Sequence, residues 1–180
     1  IPPECRLGFD YWKVMECTHN YNHSFYYAGD SKEKLLWPGF DAAAQTQDAI
    51  GYVRNHAKND KPFALVLAWG PPHNPYEQAP AEFKKMYDAS KIQLRPNVPE
   101  NVAKQTRKQL ASYYANCTAL DQYIGQLWEA LKAAGIEKNT ILVFTSDHGD
   151  MIGSHQMIRK QKPWDEALRI PMLWHFPAGL

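Results

Sequence analysis

The sequence predicts an α/β layer structure with a largely parallel sheet, and three observations carry that prediction. Short apolar runs alternate with segments of helical periodicity, in the order helix, strand, long helix, strand, short helix, strand. The runs at 63–69 and 141–145 are almost continuously apolar, the pattern of strands buried on both faces. Residues 101–134 repeat apolar side chains at steps of three and four, which is the stripe of an amphipathic helix.

Residues 1–38 stand apart from this pattern. They are irregular and aromatic, with Phe9, Tyr11, Trp12, Tyr21, Phe25, Tyr26, Tyr27 and Trp37 punctuated by Pro2, Pro3, Gly8, Gly29 and Pro38. Loops with short strands over 12–15 and 24–27 are expected there. Residues 39–180 form the α/β core segment. Its first helix spans 41–58: Asp41 can cap the start, Ala42, Ala43 and Ala44 favour helix, and Ala49, Ile50 and Val53 give it an apolar side. Asn59 and Asp60 turn the chain, Pro62 closes the turn, and the strand 63–69 follows.

After Gly70, Pro71 and Pro72 comes a long connection over 73–100 with one short helix near 81–87. The long helix presents Leu110, Tyr113, Tyr114, Cys117, Leu120, Ile124, Leu127 and Leu131, and Gly135 sits where a terminating glycine belongs. The strand 141–145 leads into a polar loop over 146–162. Pro163 opens a short helix that runs to Leu168, and 171–176 reads as a third strand.

Composition narrows the function without naming it. With 180 residues, 44% hydrophobic and 22% charged, the chain has the make-up of one globular domain rather than a disordered one. A net charge of +1 without a basic stripe argues against nucleic acid as a partner. No apolar run reaches the roughly 18 residues a membrane span needs. Cys5, Cys17 and Cys117 form neither a disulfide framework nor a zinc knuckle, and read as incidental thiols.

In open α/β sheets ligands collect at the carboxyl ends of strands. That rule selects Gly70-Pro71-Pro72-His73-Asn74-Pro75 and Ser146-Asp147-His148-Gly149-Asp150. Asp147 and His148 pair a hard oxygen donor with an imidazole and could bind a divalent metal, although two donors are not a full site. Gly149 lets the backbone turn sharply enough for both to point one way. A turn cap beside a surface histidine is the plainer alternative.

A serine-hydrolase triad is excluded, because Ser146, Asp147 and His148 are adjacent and cannot form the relay. His73, between prolines, could move a proton or bind an anion. Lys160 or Lys162 could neutralise an anionic substrate. His155 is ambiguous. Asp150 is either a ligand or an acceptor that orients an imidazole, the second being favoured.

Several stretches together resemble one family. Residues 145–155, Thr-Ser-Asp-His-Gly-Asp-Met-Ile-Gly-Ser-His, are similar to the metal-binding segment of sulfatases. Residues 114–125 resemble that family's long helix, and the segment from Pro62 and Phe63 to Pro72-His73-Asn74-Pro75 resembles its strand and Pro-His-x-Pro loop. The segment from Lys160 to Arg169-Ile170-Pro171 resembles the family stretch from a substrate-binding lysine to Arg-x-Pro. Gly8-Phe9-Asp10-Tyr11-Trp12 resembles a segment further upstream.

The resemblance implies an alkaline-phosphatase-like, three-layer αβα sandwich with a mostly parallel mixed sheet, here incomplete. It implies metal-dependent hydrolysis of a sulfate ester, with calcium as the expected ion and magnesium or manganese as alternatives. Asp147 and His148 would be metal ligands. His73 would contact the transferred group or assist the leaving oxygen, and Lys160 would bind the anionic oxygens. Lys160 follows His148 by twelve residues, which agrees with the family pattern better than Lys162 does.

The substrate would be a sulfated small molecule or carbohydrate, and the setting periplasmic, secreted or lysosomal. Many sulfatases carry Asn where His148 stands. The Asp-His form also occurs in relatives that hydrolyse phosphonate monoesters and phosphodiesters, so that substrate class is the alternative. Another alternative is a non-catalytic anion- or carbohydrate-binding module, with Tyr11, Trp12, Tyr26 and Tyr27 stacking on sugar rings.

One departure matters. The family nucleophile is a formylglycine made from Cys or Ser in a Cys-x-Pro-x-Arg type motif, and none of Cys5, Cys17 and Cys117 is followed by that pattern. The resemblance implies that the motif and two acidic ligands lie upstream of this stretch. The 180 residues are therefore expected to be an inactive internal part of a larger catalytic domain, with an unpaired apolar sheet edge that promotes self-association.

Overall fold

A computed structural model describes residues 1–15 and 18–179. Cys17 lies outside the described residues. The aromatic first segment folds into a small antiparallel sheet of three strands, β1 (Lys13–Val14), β2 (Phe25–Ala28) and β3 (Leu35–Leu36), with β2 in the middle. Its aromatic side chains pack on each other. Tyr26 stacks on Trp37 at 3.9 Å between ring centroids, and Tyr11 packs on Tyr52 while donating its hydroxyl to Asp48.

The helix α1 (Asp41–His56) follows. Asp41 does not cap it: Phe40 occupies the cap position, and the Asp41 carboxyl is turned inward and fully buried. Burial raises that carboxyl's pKa to about 6, against lowering contributions from the Ser24 hydroxyl and the Ala42 amide. Short α2 (Ala81–Lys84) falls within the expected helical stretch of the long connection.

The spine of the molecule is α3 (Glu100–Ala133), a helix of 34 residues. Gly135 ends it at φ 72°, and the Ile136 amide donates back to the Leu131 carbonyl, the glycine-terminated closure that a left-handed residue permits. The apolar stripe on α3 is broader than the heptad-like reading. Ala115, Ala119, Leu120 and Tyr123 pack with Phe40, Ala42 and Phe83 in one core cluster. Alanines at this face let the helices approach closely. Leu110 and Ala111 form a second cluster with Tyr76, Ile92 and Ile152. Tyr113, Cys117 and Ile124 instead line an open groove of about 890 Å³ beside the last strands.

Those strands are β4 (Leu142–Thr145) and β5 (Met172–His175), separated by short α4 (Asp165–Leu168). The sheet geometry corrects two expectations. β4 and β5 are antiparallel neighbours, pairing Leu142 with His175 and Thr145 with Met172, and every pairing among the described residues is antiparallel. The run 63–69 joins no ladder among the described residues, and its side chains alternate between exposed and half-buried. β4 alternates likewise and β5 is exposed throughout. The apolar runs at 141–145 and 171–176 identify strands correctly. They do not show burial on both faces, because burial depends on neighbours that local sequence cannot supply.

Candidate active site

Two loops and one lysine converge beside α3. The first loop runs from Gly70 to Pro75. His73 Nδ1 lies 2.7 Å from the Asn74 carbonyl oxygen. A carbonyl only accepts, so Nδ1 carries the proton and Nε2 keeps its lone pair. Lys160 Nζ sits 2.8 Å from that Nε2 and donates to it. Burial lowers the His73 pKa first, and the nearby Lys160, His19 and His148 side chains lower it further against the opposing Asn74 bond. The imidazole is therefore neutral at pH 7.

Tyr21 fixes this loop from below. It is 1% exposed, and its hydroxyl donates to the His73 carbonyl at 3.0 Å. A side chain at Gly70 would put a Cβ 2.7 Å from the Tyr21 ring, so glycine lets the chain pass over that ring. Gln78 completes the clamp: its Oε1 accepts from the Tyr21 amide and its Nε2 donates to the His19 carbonyl at 2.7 Å.

The second loop follows β4. His148 Nδ1 lies 2.6 Å from the Gly149 carbonyl, which again leaves Nε2 unprotonated when the ring is neutral. Asp147 Oδ2 is 3.6 Å from that Nε2. An ion held at roughly 2.3–2.6 Å from each of two donors at right angles needs them about 3.3–3.7 Å apart. The pair thus fits two adjacent corners of a divalent-cation shell. A complete shell needs more donors, and no group of three or more His, Cys, Asp and Glu able to hold a metal occurs among the described residues. The Asp147 side chain is 86% exposed, open to further ligands.

The rings of His73 and His148 are 5.8 Å apart and nearly perpendicular. The sequence-selected His73, Lys160 and His148 thus stand together, with Asp147 beside His148. Gly149 passes directly under the α4 segment: its amide donates to the Ala167 carbonyl, and an added Cβ would lie 2.1 Å from the Glu166 carbonyl oxygen. The close approach is what requires glycine here, since the backbone at Gly149 is not left-handed.

Other candidates fall outside the cluster or change role. Lys162 is exposed. His155 stacks on Trp164 at 4.4 Å, and its Nε2 contacts Asn97, a structural arrangement. Asp150 orients no imidazole. Its Oδ2 accepts from the Tyr76 hydroxyl at 2.7 Å, and its Oδ1 accepts from the amides of Ile152 and Arg159. The aromatics considered for sugar stacking pack against one another or against α1 instead.

Sequence reasoning missed His19. Its ring stacks on His73 with centroids 4.6 Å apart, and it is exposed at the mouth of the site. It also missed Tyr21 and Tyr76. All three sit in aromatic surroundings without a periodic pattern, and only the polar run His19-Asn20-Tyr21-Asn22 hinted at a special role.

Comparison with known proteins identifies the family. A sequence model of the sulfatase family matches residues 5–180. An ulvan-active sulfatase from Formosa agariphila is 42% identical over 179 residues, covering 98% of this chain and 35% of that protein. An endo-4-O-sulfatase from Bacteroides thetaiotaomicron is 30% identical over 191 residues, covering 99% of this chain and 37% of that protein. The crystal structure of a Bacteroides fragilis protein assigned as the sulfatase yidJ superposes with a TM-score of 0.91 at 32% identity, covering 98% of this chain and 40% of that one. The chain thus has the α/β, alkaline-phosphatase-like fold of these proteins and spans little more than a third of the length of the curated relatives it matches.

Proposed function

The chain belongs to the sulfatase family, and from that premise we propose that it supplies the anion-handling half of a sulfuric-ester hydrolase site. The observation that carries this reading is the Lys160–His73 contact of 2.8 Å, which joins residues 87 apart in sequence beside the Asp147 and His148 pair.

In this reading Asp147 and His148 hold a divalent cation, calcium first and magnesium or manganese as alternatives. The cation would polarise the sulfuryl oxygens as a Lewis acid. Lys160 binds an anionic oxygen of the ester, and its ammonium exchanges the His73 lone pair for that stronger acceptor. His73 then faces a negative charge where it had faced a positive one, which favours its protonated form. The same Nε2 that accepts from Lys160 becomes a donor to the leaving oxygen. The fixed Nδ1–Asn74 bond keeps the ring aimed while its charge changes.

The nucleophile in this reading comes from residues outside the 180. Cys117 is unsuited to the role: burial pushes its thiol up to about 11, so it remains protonated in the groove. The organic half of the substrate is a sulfated small molecule or carbohydrate. The support is that one relative is named for activity on ulvan and the other as an endo-acting 4-O-sulfatase.

The test is sulfate release from an aryl sulfate by the full-length protein, with and without added calcium, beside a matched phosphonate monoester. Calcium-dependent sulfate release that exceeds phosphonate hydrolysis supports the reading. Preferential turnover of the phosphonate would replace the substrate class. The isolated 180-residue chain is expected to release no sulfate, and metal-dependent turnover by it would place the nucleophile within these residues.

A further inference from the structure

The Asp150 carboxylate touches all three segments of the site. Tyr76, three residues after His73, donates its hydroxyl to Asp150 Oδ2 at 2.7 Å. Asp150 Oδ1 accepts from the Ile152 amide at 3.1 Å and from the Arg159 amide at 3.0 Å. Asp150 stands two residues beyond His148, and Arg159 immediately precedes Lys160. Tyr76 is itself fixed: it is 5% exposed, and its carbonyl accepts from Asn116 Nδ2 on α3 at 2.7 Å. A chain of hydrogen bonds therefore runs from α3 through Tyr76 to Asp150, and from there to the segments bearing His148 and Lys160. Backbone bonds add to this within the loop, as where the Met151 amide donates to the Arg159 carbonyl.

We propose that Asp150 and Tyr76 are positioning residues that clasp the cation-binding pair to the His73–Lys160 pair. This rests on the sulfatase reading above for the identity of the groups being positioned. The physical reason is specific. Tyr76 and Asp150 each lose a directed bond if the other is removed, and the remaining group stays desolvated without a partner. The loop that carries Asp147, His148 and Lys160 would then keep its fold but not its aim. Partners of this outer kind typically set metal affinity by about 10–100-fold.

The experiment uses the full-length protein and the variants Tyr76→Phe, Asp150→Asn and the double variant. Asp150→Asn retains an oxygen for the two amides and replaces the charged acceptor of the Tyr76 hydroxyl with an amide donor, so the charge-assisted bond is lost. Calcium binding is measured by calorimetry, sulfate release by steady-state kinetics, and backbone exchange over 147–160 by hydrogen–deuterium exchange. Each single variant is expected to weaken calcium binding about tenfold and to speed exchange over 147–160. The double variant should do little more than either alone, because both remove one bond. Unchanged calcium binding and unchanged exchange in the single variants overturn the clasp, as does a double variant whose losses add. Wild-type protein that binds no divalent cation and releases no sulfate refutes the sulfatase reading instead, and exchange over 147–160 still decides the clasp.

Discussion

His73 has partners on both ring nitrogens and a stacked ring beside it, whereas Trp174 on β5 is 58% exposed. The contrast extends to their surroundings. The site loops are tied to α3, to Tyr21 and to each other by directed bonds. The β4–β5 ladder shows Met172, Leu173 and Trp174 at 59%, 63% and 58% exposure. Organisation of the site therefore comes from the helical spine and the loops, while the sheet supplies direction to the chain and little enclosure. Polar groups gathered at a site must satisfy one another locally, whereas an apolar ladder is content only when other strands or helices cover it.

The largest effect that would break this contrast concerns activity. In the full-length protein, His73→Ala and Lys160→Ala should each lower the rate of sulfate-ester hydrolysis by about 10²–10⁴-fold, while the melting temperature shifts little. Steady-state kinetics beside a thermal melt separate the two effects. A variant that remains fully active would remove that residue from the mechanism. The next effect concerns close approach. Gly149→Ala drives a methyl group into the Glu166 carbonyl, and backbone cannot yield as a flexible side chain can. A loss of roughly 1–3 kcal/mol in denaturant unfolding is expected, with reduced activity from displacement of His148.

A pH experiment addresses the part of the molecule that belongs to neither region. Asp41 has a folded pKa of about 6, above its ordinary value of 3.8. Between those values the folded state holds a proton that the unfolded state has lost. The stability linked to that proton is complete below the unfolded value and is lost as pH rises through about 6. Asp41→Asn should therefore stabilise the protein at pH 7.5, and the gain should shrink as pH falls toward 4, a comparison read from melts across the pH series. An equal gain at every pH would show that charge is not the cause.

The smallest effect on folding, and the sharpest test of the ladder, is Trp174→Lys. Removing an exposed apolar surface group should change stability by less than about 0.5 kcal/mol. It should, however, reduce self-association of the isolated 180-residue chain in sedimentation velocity. A monomeric profile for the unsubstituted chain would show that the exposed ladder does not drive association.

Much of this architecture is legible in sequence because it is local. The period of α3, its terminal Gly135, the short helix near Pro163 and the extended character of 141–145 and 171–176 all follow from neighbours in the chain. What the sequence hides is pairing. Nothing within β4 says that β5 lies antiparallel beside it, and nothing within 63–69 says that it joins no ladder among the described residues. Asp41 shows the same limit from the other side, since its residue type suits a helix cap and its neighbours bury it instead. At the site, His73, Asp147, His148 and Lys160 could be singled out because each stands in a short recognisable pattern. Tyr76, Tyr21 and His19 act through contacts 52 to 74 residues away, and no local pattern marks such contacts.

On the side of residues 19–21 the clamp beneath His73 combines the Tyr21 side chain with main-chain atoms: the Tyr21 hydroxyl holds the His73 carbonyl, while the His19 carbonyl and the Tyr21 amide engage Gln78. Main-chain bonds are indifferent to which side chain each residue carries. The exposed Asn20 and His23 can therefore change without loosening the support beneath His73, whereas the His19 ring also stacks on that imidazole. Side chains along such a rim can vary while the loop that carries the imidazole keeps its place.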